Sequence, residues 1–594
     1  MYNKGLFADW VPKPVQLLLI AFFLFPILLI SGIYTGNLGY MSSDIGTYNE
    51  WLIFANYAGV VGMGVSMPLV FRYKMAFHTK YLMLRTFLIL ALLSFMIATT
   101  DNNWVIVGCS FLVGFFKMFA MMEVILPMMF IISPDGQRPK FYAIFYPLAI
   151  IVPQVGGYIF TQVGFFTFWQ NVHFIMAIAM LICALLATVF MHHQRFDKKV
   201  PLYYIDWMGM LIYTIVFLAM AFFIAFAKQQ NYFQSRFIVF ATVIVIVGII
   251  IYQIHQRLER RPFVDFRALK KYNIIHGVMM LFMLGFLLAG SSLQSRITRG
   301  VLGFSTVLDN SLNLWMIPGV LVASIFSLKW LTKEKSIKTY IIIGFAAFML
   351  YYVMMYFLVS PNLSYNELIV PNMLRGFAMT ILFIGIWLYA LSNLSVDVML
   401  SVAAVLIITR TMLGPGVWSV LLNYIDGFYQ VESLNNIAGK MDASAYSKRA
   451  AMQLYRNVKI NTLINATQRL YGFMILMSNV ILIYILFLNF DGLGKRKLIS
   501  FRNRFRRKNK KNIESDRSEL DEEFTNIEFD EEENIEQEKF PNELLTEELI
   551  ASESQDEDLL EEELDDEELD DEDISENKIE QQKTEIEGSS GIAL

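Results

Sequence analysis

The chain has 594 residues, of which 56% are hydrophobic, and a mean hydropathy of +0.48. This composition excludes one or two soluble domains and indicates a polytopic, all-α membrane protein. The net charge of −5 hides two opposed parts, with 35 acidic and 4 basic residues from Glu514 onward and 44 basic and 18 acidic residues before it. Both cysteines, Cys109 and Cys183, lie in apolar runs, so neither a disulfide framework nor a thiolate metal site is expected.

Fourteen apolar stretches are long enough to cross a bilayer as helices of about 20 residues. They cover residues 15–35, 51–72, 81–99, 104–131, 142–164, 171–192, 206–227, 236–254, 276–296, 310–330, 338–360, 369–391, 399–422 and 470–489. Basic residues follow every second span, such as Arg72, Lys74 and Lys80 after span two. The alternate loops carry almost none, so the positive-inside rule predicts that both termini are cytoplasmic. The first stretch lacks a small-residue cleavage site and is interpreted as a retained helix.

Two segments depart from this pattern of short connections. Residues 423–468 are predicted to form an outer loop, in which residues 443–470 have helical apolar spacing. That spacing fits either an amphipathic helix on the membrane surface or a loop helix that caps the protein itself. Residues 495–511 contain ten Lys and Arg, which suits binding to anionic lipid headgroups. Residues 514–594 are too acidic and too poor in apolar groups to fold, so a disordered cytoplasmic tail is predicted.

Span five contains an unusual run, PLAIIVPQVGGYIF, at residues 147–160. A membrane helix tolerates proline and glycine there because neighbouring groups satisfy the freed backbone. Gly156 and Gly157 allow another helix to come close, and Pro153 removes one hydrogen bond and is predicted to bend the helix. The run fits a moving part of the protein, and it fits a tight helix crossing equally well.

Ionisable residues deep inside the spans are functional candidates by default, because burying a charge in hydrocarbon is costly. Span four contains Lys117 and Glu123, span twelve contains Arg375, and span thirteen contains Arg410 near its centre. Glu123 is predicted either to carry protons or to form a structural pair with Lys117 or an arginine. Six residues separate Lys117 from Glu123, so they point about 120° apart and do not pair directly on one helix.

We expect Lys117 to hold a substrate's charge or to tune Glu123. For Arg375 and Arg410 we favour a structural role, in which the side chains bind helix ends and backbone carbonyls. The sequence contains no Walker-type phosphate loop, no nucleophile elbow and no clustered histidines. We therefore expect no catalytic residue, metal, cofactor or nucleic-acid partner.

Taken in chain order over residues 15–490, several segments resemble the fourteen-helix drug/proton antiporter family of the major facilitator superfamily. They are YMSSDIGTYNEWLIFANY with Asp44, VPQVGGYIF followed by FWQNVHFI, IDWMG with Asp206, RRPFVDFRAL, SSLQSRITRGVLGFS, LRGFAM with Arg375 and TRTMLGPG with Arg410. The resemblance implies six-helix bundles at 1–192 and 276–490, with an inserted helix pair and linker at 193–275. It also implies alternating access to a midplane site. The Lys and Arg content assigns a basic juxtamembrane segment to 491–513.

The same resemblance implies multidrug efflux: export of small amphipathic compounds from the inner membrane against a proton gradient. In two-membrane bacteria such exporters can work with a periplasmic adaptor and an outer-membrane channel. Three departures affect the coupling site: span one has no acid near Ile30, the PLVFRYKMAFHTKY loop has no Asp, and Ser110 stands near the position of the family's span-four arginine. We therefore expect Glu123 with Lys117 to couple transport to protons. The alternatives are an uncoupled facilitator and a non-transporting scaffold or sensor that acts through the tail.

Overall fold

The computed structural model describes residues 6–490 except 9, 31–32, 133–137, 194–204, 260–261, 265–268, 334, 393, 395, 439–447 and 489. The predicted basic segment and acidic tail therefore lie outside the described residues. The described part is built from helices, with one isolated antiparallel bridge between Phe7 and Met191.

Fourteen helical spans follow one another, and each is named by its order. They are Lys13–Leu29 with Ile33–Ile45, Asn49–Ala76, Thr79–Thr99, Asn103–Ile132, Arg138–Phe166, Trp169–Phe190, Trp207–Phe226, Arg236–Leu258, Tyr272–Ala289 with Ser292–Gly300, Thr306–Ser311 with Leu312–Trp315 and Met316–Thr332, Ile337–Leu358, Ile369–Ala390, Val396–Ile408 with Thr409–Leu413 and Gly414–Ala438, and Lys448–Phe487. Within the described residues, thirteen helices are long and apolar enough to cross a membrane, and the apolar helix Lys13–Leu29 is shorter. They correspond in order to the fourteen predicted stretches.

The helix boundaries differ from the prediction in two places. The first predicted stretch corresponds to two helices, Lys13–Leu29 and Ile33–Ile45. The second helix extends into residues that were predicted to form a loop. The prediction of an outer loop at 423–468 is wrong at both ends, because both ends are helical. Span thirteen continues to Ala438, and span fourteen is one 40-residue helix, Lys448–Phe487. A polar sequence indicates where a helix leaves the membrane, but it does not end the helix. The polar ends of spans thirteen and fourteen are joined by an Arg469–Glu432 ion pair of 2.7 Å.

The helix packing repeats itself along the chain. Span two packs on span four and span three on span six in the first half, and span ten packs on span twelve and span eleven on span fourteen in the second half. Spans seven and eight pack on each other and contact the rest chiefly through span two and span thirteen. Two six-helix bundles with an inserted pair are therefore present, as predicted.

Glycines bring the paired helices together in both bundles. A β-carbon added at Gly114 in span four would overlap the carbonyl oxygen of Gly59 in span two. In the second bundle, one added at Gly376 in span twelve would overlap the carbonyl oxygen of Met316 in span ten. In both crossings, packing at backbone distance substitutes for the hydrophobic driving force that is lost inside a bilayer.

Within the described residues the two bundles meet chiefly along two helix pairs, span two with span thirteen and span five with span ten. Along the second pair, Ser324 Oγ donates to the carbonyl oxygen of Ala143 at 2.7 Å, and Asn310 Nδ2 donates to Thr161 Oγ1 at 2.8 Å. The two bonds lie near opposite ends of span five. The bundles therefore touch near both ends of this helix through single hydrogen bonds.

A glycine-to-alanine pair tests the importance of the close crossings. Gly114→Ala forces a methyl group into the backbone of span two, so we expect a loss of about 1–3 kcal/mol in unfolding free energy. Gly108→Ala, on the same helix with open space around it, removes only a helix-weakening glycine and should leave stability equal or slightly higher. Unfolding in detergent measures both, and equal stability of the two variants would contradict the packing account.

Candidate functional site

Arg410 lies in a π-helical turn that interrupts span thirteen. The turn, Thr409–Leu413, separates two α-helical parts of the span. π-Turns inside α-helices are uncommon and occur frequently at functional sites, since the extra residue redirects side chains at a local cost. Arg410 itself is only partly buried. The turn thus presents a cation near the centre of a predicted span.

The guanidinium of Arg410 lies between aromatic rings from both bundles. Its Cζ is 4.1 Å from the ring centroid of Phe383 in span twelve and 5.9 Å from that of Tyr146 in span five. Within the part of the chain that the structure describes, no hydrogen bond or ion pair of Arg410 is found beside these two contacts. Aromatic faces attract a cation but leave its N–H groups unbonded. The arrangement can therefore receive an anionic group between the bundles.

Glu123 has a different partner from those considered in the sequence. Its Oε2 accepts a hydrogen bond from Lys74 Nζ at 3.0 Å, and both side chains are fully buried. The interpretation of Lys74 as a loop cation is wrong, because the helix of span two continues to Ala76 and carries Lys74 inside the bundle. Two opposite charges in hydrocarbon satisfy each other, so this pair joins span two to span four.

Lys117 lines a small cavity inside the first bundle and is 4% exposed. Tyr34, Ser110 and His173 line the same cavity. The space inside it for the centres of water-sized molecules is about 30 Å³, which is far too little for a drug-sized compound. Glu123 is paired with Lys74 instead, and the role of Lys117 stays a prediction.

The predicted motif residues of span five lie against span one. A β-carbon at Gly156 would overlap the side chain of Leu29, and the carbonyl oxygen of Gly157 lies beside Gly36. Pro153 lies inside the helix Arg138–Phe166, which continues through it. Close packing at the Gly-Gly pair is thus present, and a role of Pro153 in motion remains a prediction.

Arg375 contacts side chains at the start of span ten. The side chain is 7% exposed. Its Nη2 donates to Asn313 Oδ1 at 2.7 Å and contacts the sulfur of Met316 at 2.9 Å. Both partners lie at the start of span ten, so Arg375 ties span twelve to that turn. This fits the structural role that the sequence favours.

Two acidic residues within the resembling segments have positioning roles that the sequence does not reveal. Asp44 Oδ2 accepts from Trp169 Nε1 and Gln170 Nε2, both at 2.7 Å, and so joins the end of span one to the start of span six. Asp206 caps span seven through the backbone N–H of Gly209 at 2.7 Å and contacts His255 Nε2 of span eight at 2.9 Å. Segments that are far apart in the chain therefore meet in space.

Sequence reasoning missed Lys74, Tyr146, Phe383 and His173. Of these, His173 could have been found, because an ionisable ring inside an apolar span is itself a signal. Lys74 follows the predicted end of span two by only two residues. Nothing in the sequence distinguishes Tyr146 and Phe383 from the other aromatic residues, since the chain contains 50 Phe and 28 Tyr.

Comparison with known proteins supports the fold. No family model and no curated protein sequence matches the chain. A solved structure of a POT family transporter in complex with a thioalcohol-conjugated peptide is similar, with a TM-score of 0.52 and 13% identity over 79% of this chain and 96% of that one. The nucleoside transporter NupG (TM-score 0.47, 14% identity, 80% and 100% covered) and the human organic anion transporter MFSD10, or TETRAN (0.45, 11%, 79% and 100%), also match.

The similarity to the POT family transporter structure, together with the membrane-length helices, defines a multi-pass membrane protein with the major facilitator fold. Membership of the drug/proton antiporter family remains a prediction, because the identity is too low to carry more than the fold.

A double-mutant cycle tests the buried ion pair. Lys74→Met leaves the Glu123 carboxylate without its partner, and we expect a loss of about 3–5 kcal/mol in unfolding free energy. Lys74→Met combined with Glu123→Met removes both charges and should restore most of that loss. Detergent unfolding of the four proteins measures the coupling. Strictly additive losses would contradict a direct pair.

Proposed function

We propose that the chain is a secondary transporter that moves a small amphipathic organic compound with a negative charge across the membrane by alternating access. The observation that carries this proposal is the position of Arg410, between the bundles and between rings contributed by each of them. The class of compound follows from the chemistry of that position, an always-charged guanidinium beside aromatic faces.

The environment of Arg410 favours an exchangeable counter-charge. A cation inside a membrane protein is costly unless it is paired or faces water. Phe383 and Tyr146 compensate part of that cost, since a cation–π contact contributes about 0.5–2 kcal/mol, rising with desolvation. A bound carboxylate, sulfonate or phosphate supplies the rest and accepts hydrogen bonds from the guanidinium fork. The organic part of the compound then packs on the two rings.

The contacts between the bundles are suited to rocking. The Ser324–Ala143 and Asn310–Thr161 bonds lie near opposite ends of the span five and span ten contact. A single neutral hydrogen bond contributes only about 1 kcal/mol, so neither of these bonds by itself holds its end closed. Alternating access needs contacts at the two ends that can break in turn around a fixed site.

Proton coupling is proposed to occur at Glu123. A proton on the carboxylate would cancel its charge and break the attraction to Lys74, which would loosen span two from span four. Span two also packs against span thirteen, which carries Arg410. A proton at Glu123 is therefore connected to the cargo site through one helix. Export, from the inner membrane and with an adaptor and outer channel where these exist, stays a prediction from the sequence.

Variants of Arg410 test the cargo site. Purified protein in liposomes should transport anionic naphthalene sulfonates better than the matched neutral sulfonamides. Arg410→Gln should lower sulfonate transport at least tenfold, whereas Arg410→Lys should keep part of it, because the charge remains and the two-pronged geometry is lost. Arg236→Gln, which removes an exposed arginine, serves as the control. Undiminished sulfonate transport by Arg410→Gln would refute the assigned site.

Proton coupling is tested in the same liposomes under an imposed pH gradient. Wild-type protein should accumulate sulfonate only while the gradient lasts, and a protonophore should abolish accumulation. Glu123→Gln should lose the gradient dependence, while Glu432→Gln, which alters a partly exposed surface pair, should keep it. Gradient-dependent accumulation by Glu123→Gln would contradict the proposed role of Glu123 in proton coupling. Transport by wild type without any gradient effect would identify an uncoupled facilitator.

A further inference from the structure

A further aromatic side chain, Trp387 of span twelve, packs beside the rings around Arg410. Its ring meets that of Tyr146 in span five edge-on, with the ring centroids 6.1 Å apart and the planes at 64°. The centroid of Tyr146 in turn lies 5.9 Å from Arg410 Cζ. The indole therefore contacts one of the two rings that define the proposed cargo site.

The other ring of that site, Phe383, lies on the same helix face as Trp387. Four residues separate the two, so their side chains differ by about 40° in direction and by about 6 Å along the axis. Gly385 lies midway between them and faces the opposite way, because a β-carbon there would come within 2.9 Å of Tyr340 and 3.0 Å of Ile341 in span eleven. Phe383 and Trp387 thus face away from the interior of the second bundle and toward span five, on which span twelve packs.

The positions of Phe383 and Tyr146 determine which way a cargo extends from Arg410. An anionic group on the guanidinium places its organic part on Phe383, whose ring centroid is 4.1 Å from Arg410 Cζ, and on Tyr146. Tyr146 also contacts Trp387. An organic part that packs on both rings therefore extends along span twelve toward Trp387.

The space beside these three rings is narrow. Phe383 is 3% exposed, Tyr146 is 4% exposed and Trp387 is 8% exposed. An indole is large and rigid, and it cannot adapt to a neighbour as the unbranched side chain of methionine does. A cargo that reaches beyond Phe383 and Tyr146 must displace the indole from packed surroundings, which is unfavourable.

We infer that Trp387 is a specificity-determining residue that limits the length of the anionic compound carried at Arg410. The inference rests on the proposed function, because it assigns a selectivity to the same site. The selected class is aromatic anions that are short enough to end at the indole. Tyr146 belongs to the first bundle and Trp387 to the second, so this limit applies while spans five and twelve are in contact.

Two sulfonates of different length test the inference in the liposomes described above. Naphthalene sulfonate has two fused rings and pyrene sulfonate has four, whereas the charged group is the same. Trp387→Ala removes the indole and should raise the ratio of pyrene sulfonate to naphthalene sulfonate transport roughly tenfold, through a lower KM for pyrene sulfonate. Trp387→Phe should give an intermediate ratio, and it provides the comparison if Trp387→Ala does not fold. Partition of the compounds into lipid cancels when the ratios of two variants are compared.

Met379→Ala is the matched control. Met379 is partly buried and lies one turn from Phe383 on the side away from Trp387, so its truncation should leave the ratio unchanged. An unchanged ratio in both Trp387 variants, or an equal rise in Met379→Ala, would overturn the inference and leave the cargo site standing.

Arg410→Gln distinguishes a failure of the cargo site from a failure of the length limit. Combined with Trp387→Ala, it should lower the transport of both sulfonates, because the anionic group loses its partner whatever the length of the compound. Undiminished transport by this double variant, or transport of neither sulfonate by wild type, would refute the proposed cargo site and the inference with it.

Discussion

The high cost of a charge in hydrocarbon governs how this protein is arranged. Glu123 meets that cost by direct pairing with Lys74 at 3.0 Å. Arg375 meets it through side chains at the start of span ten. Arg410 has aromatic faces instead, and we propose that its N–H groups bind an exchangeable anion. Differences in how each charge is compensated thus separate structural residues from candidate functional residues more clearly than position in the sequence does.

Close helix contact supplies the rigidity that such charges require. Gly59 with Gly114, and Gly376 with Met316, bring backbones together within each bundle. Among the described residues, two neutral hydrogen bonds join spans five and ten between the bundles, one near each end of span five. Packing at backbone distance inside each bundle suits two bodies that rock about a shared site. The small cavity around Lys117 lies within one of these bodies and so would keep its shape during such motion.

The order and approximate ends of the spans could be predicted, because a long apolar run in a bilayer has only one regular solution, a helix. The ionisable residues inside the spans could be listed for the same reason. Their partners could not, because Lys74 meets Glu123 only through a four-residue continuation of span two and through neighbours set by the tertiary fold. Tyr146 and Phe383 could not be predicted as site residues, because the chain contains many other aromatic residues. The helix at 423–438 was missed because polarity was taken as the end of a helix, and the helix at 448–468 was predicted without its continuation into span fourteen.

Alternating access is tested most directly by distances between spin labels at the two ends of the bundles. Phe166→Cys with Phe357→Cys reports one end, and Arg85→Cys with Lys333→Cys reports the other; all four positions are exposed, whereas the native cysteines are buried. Pulsed electron paramagnetic resonance across pH values and added sulfonates should give two populations at each end. As one distance lengthens the other should shorten. A single, unchanging distance at both ends under all conditions would contradict transport by a rocking mechanism.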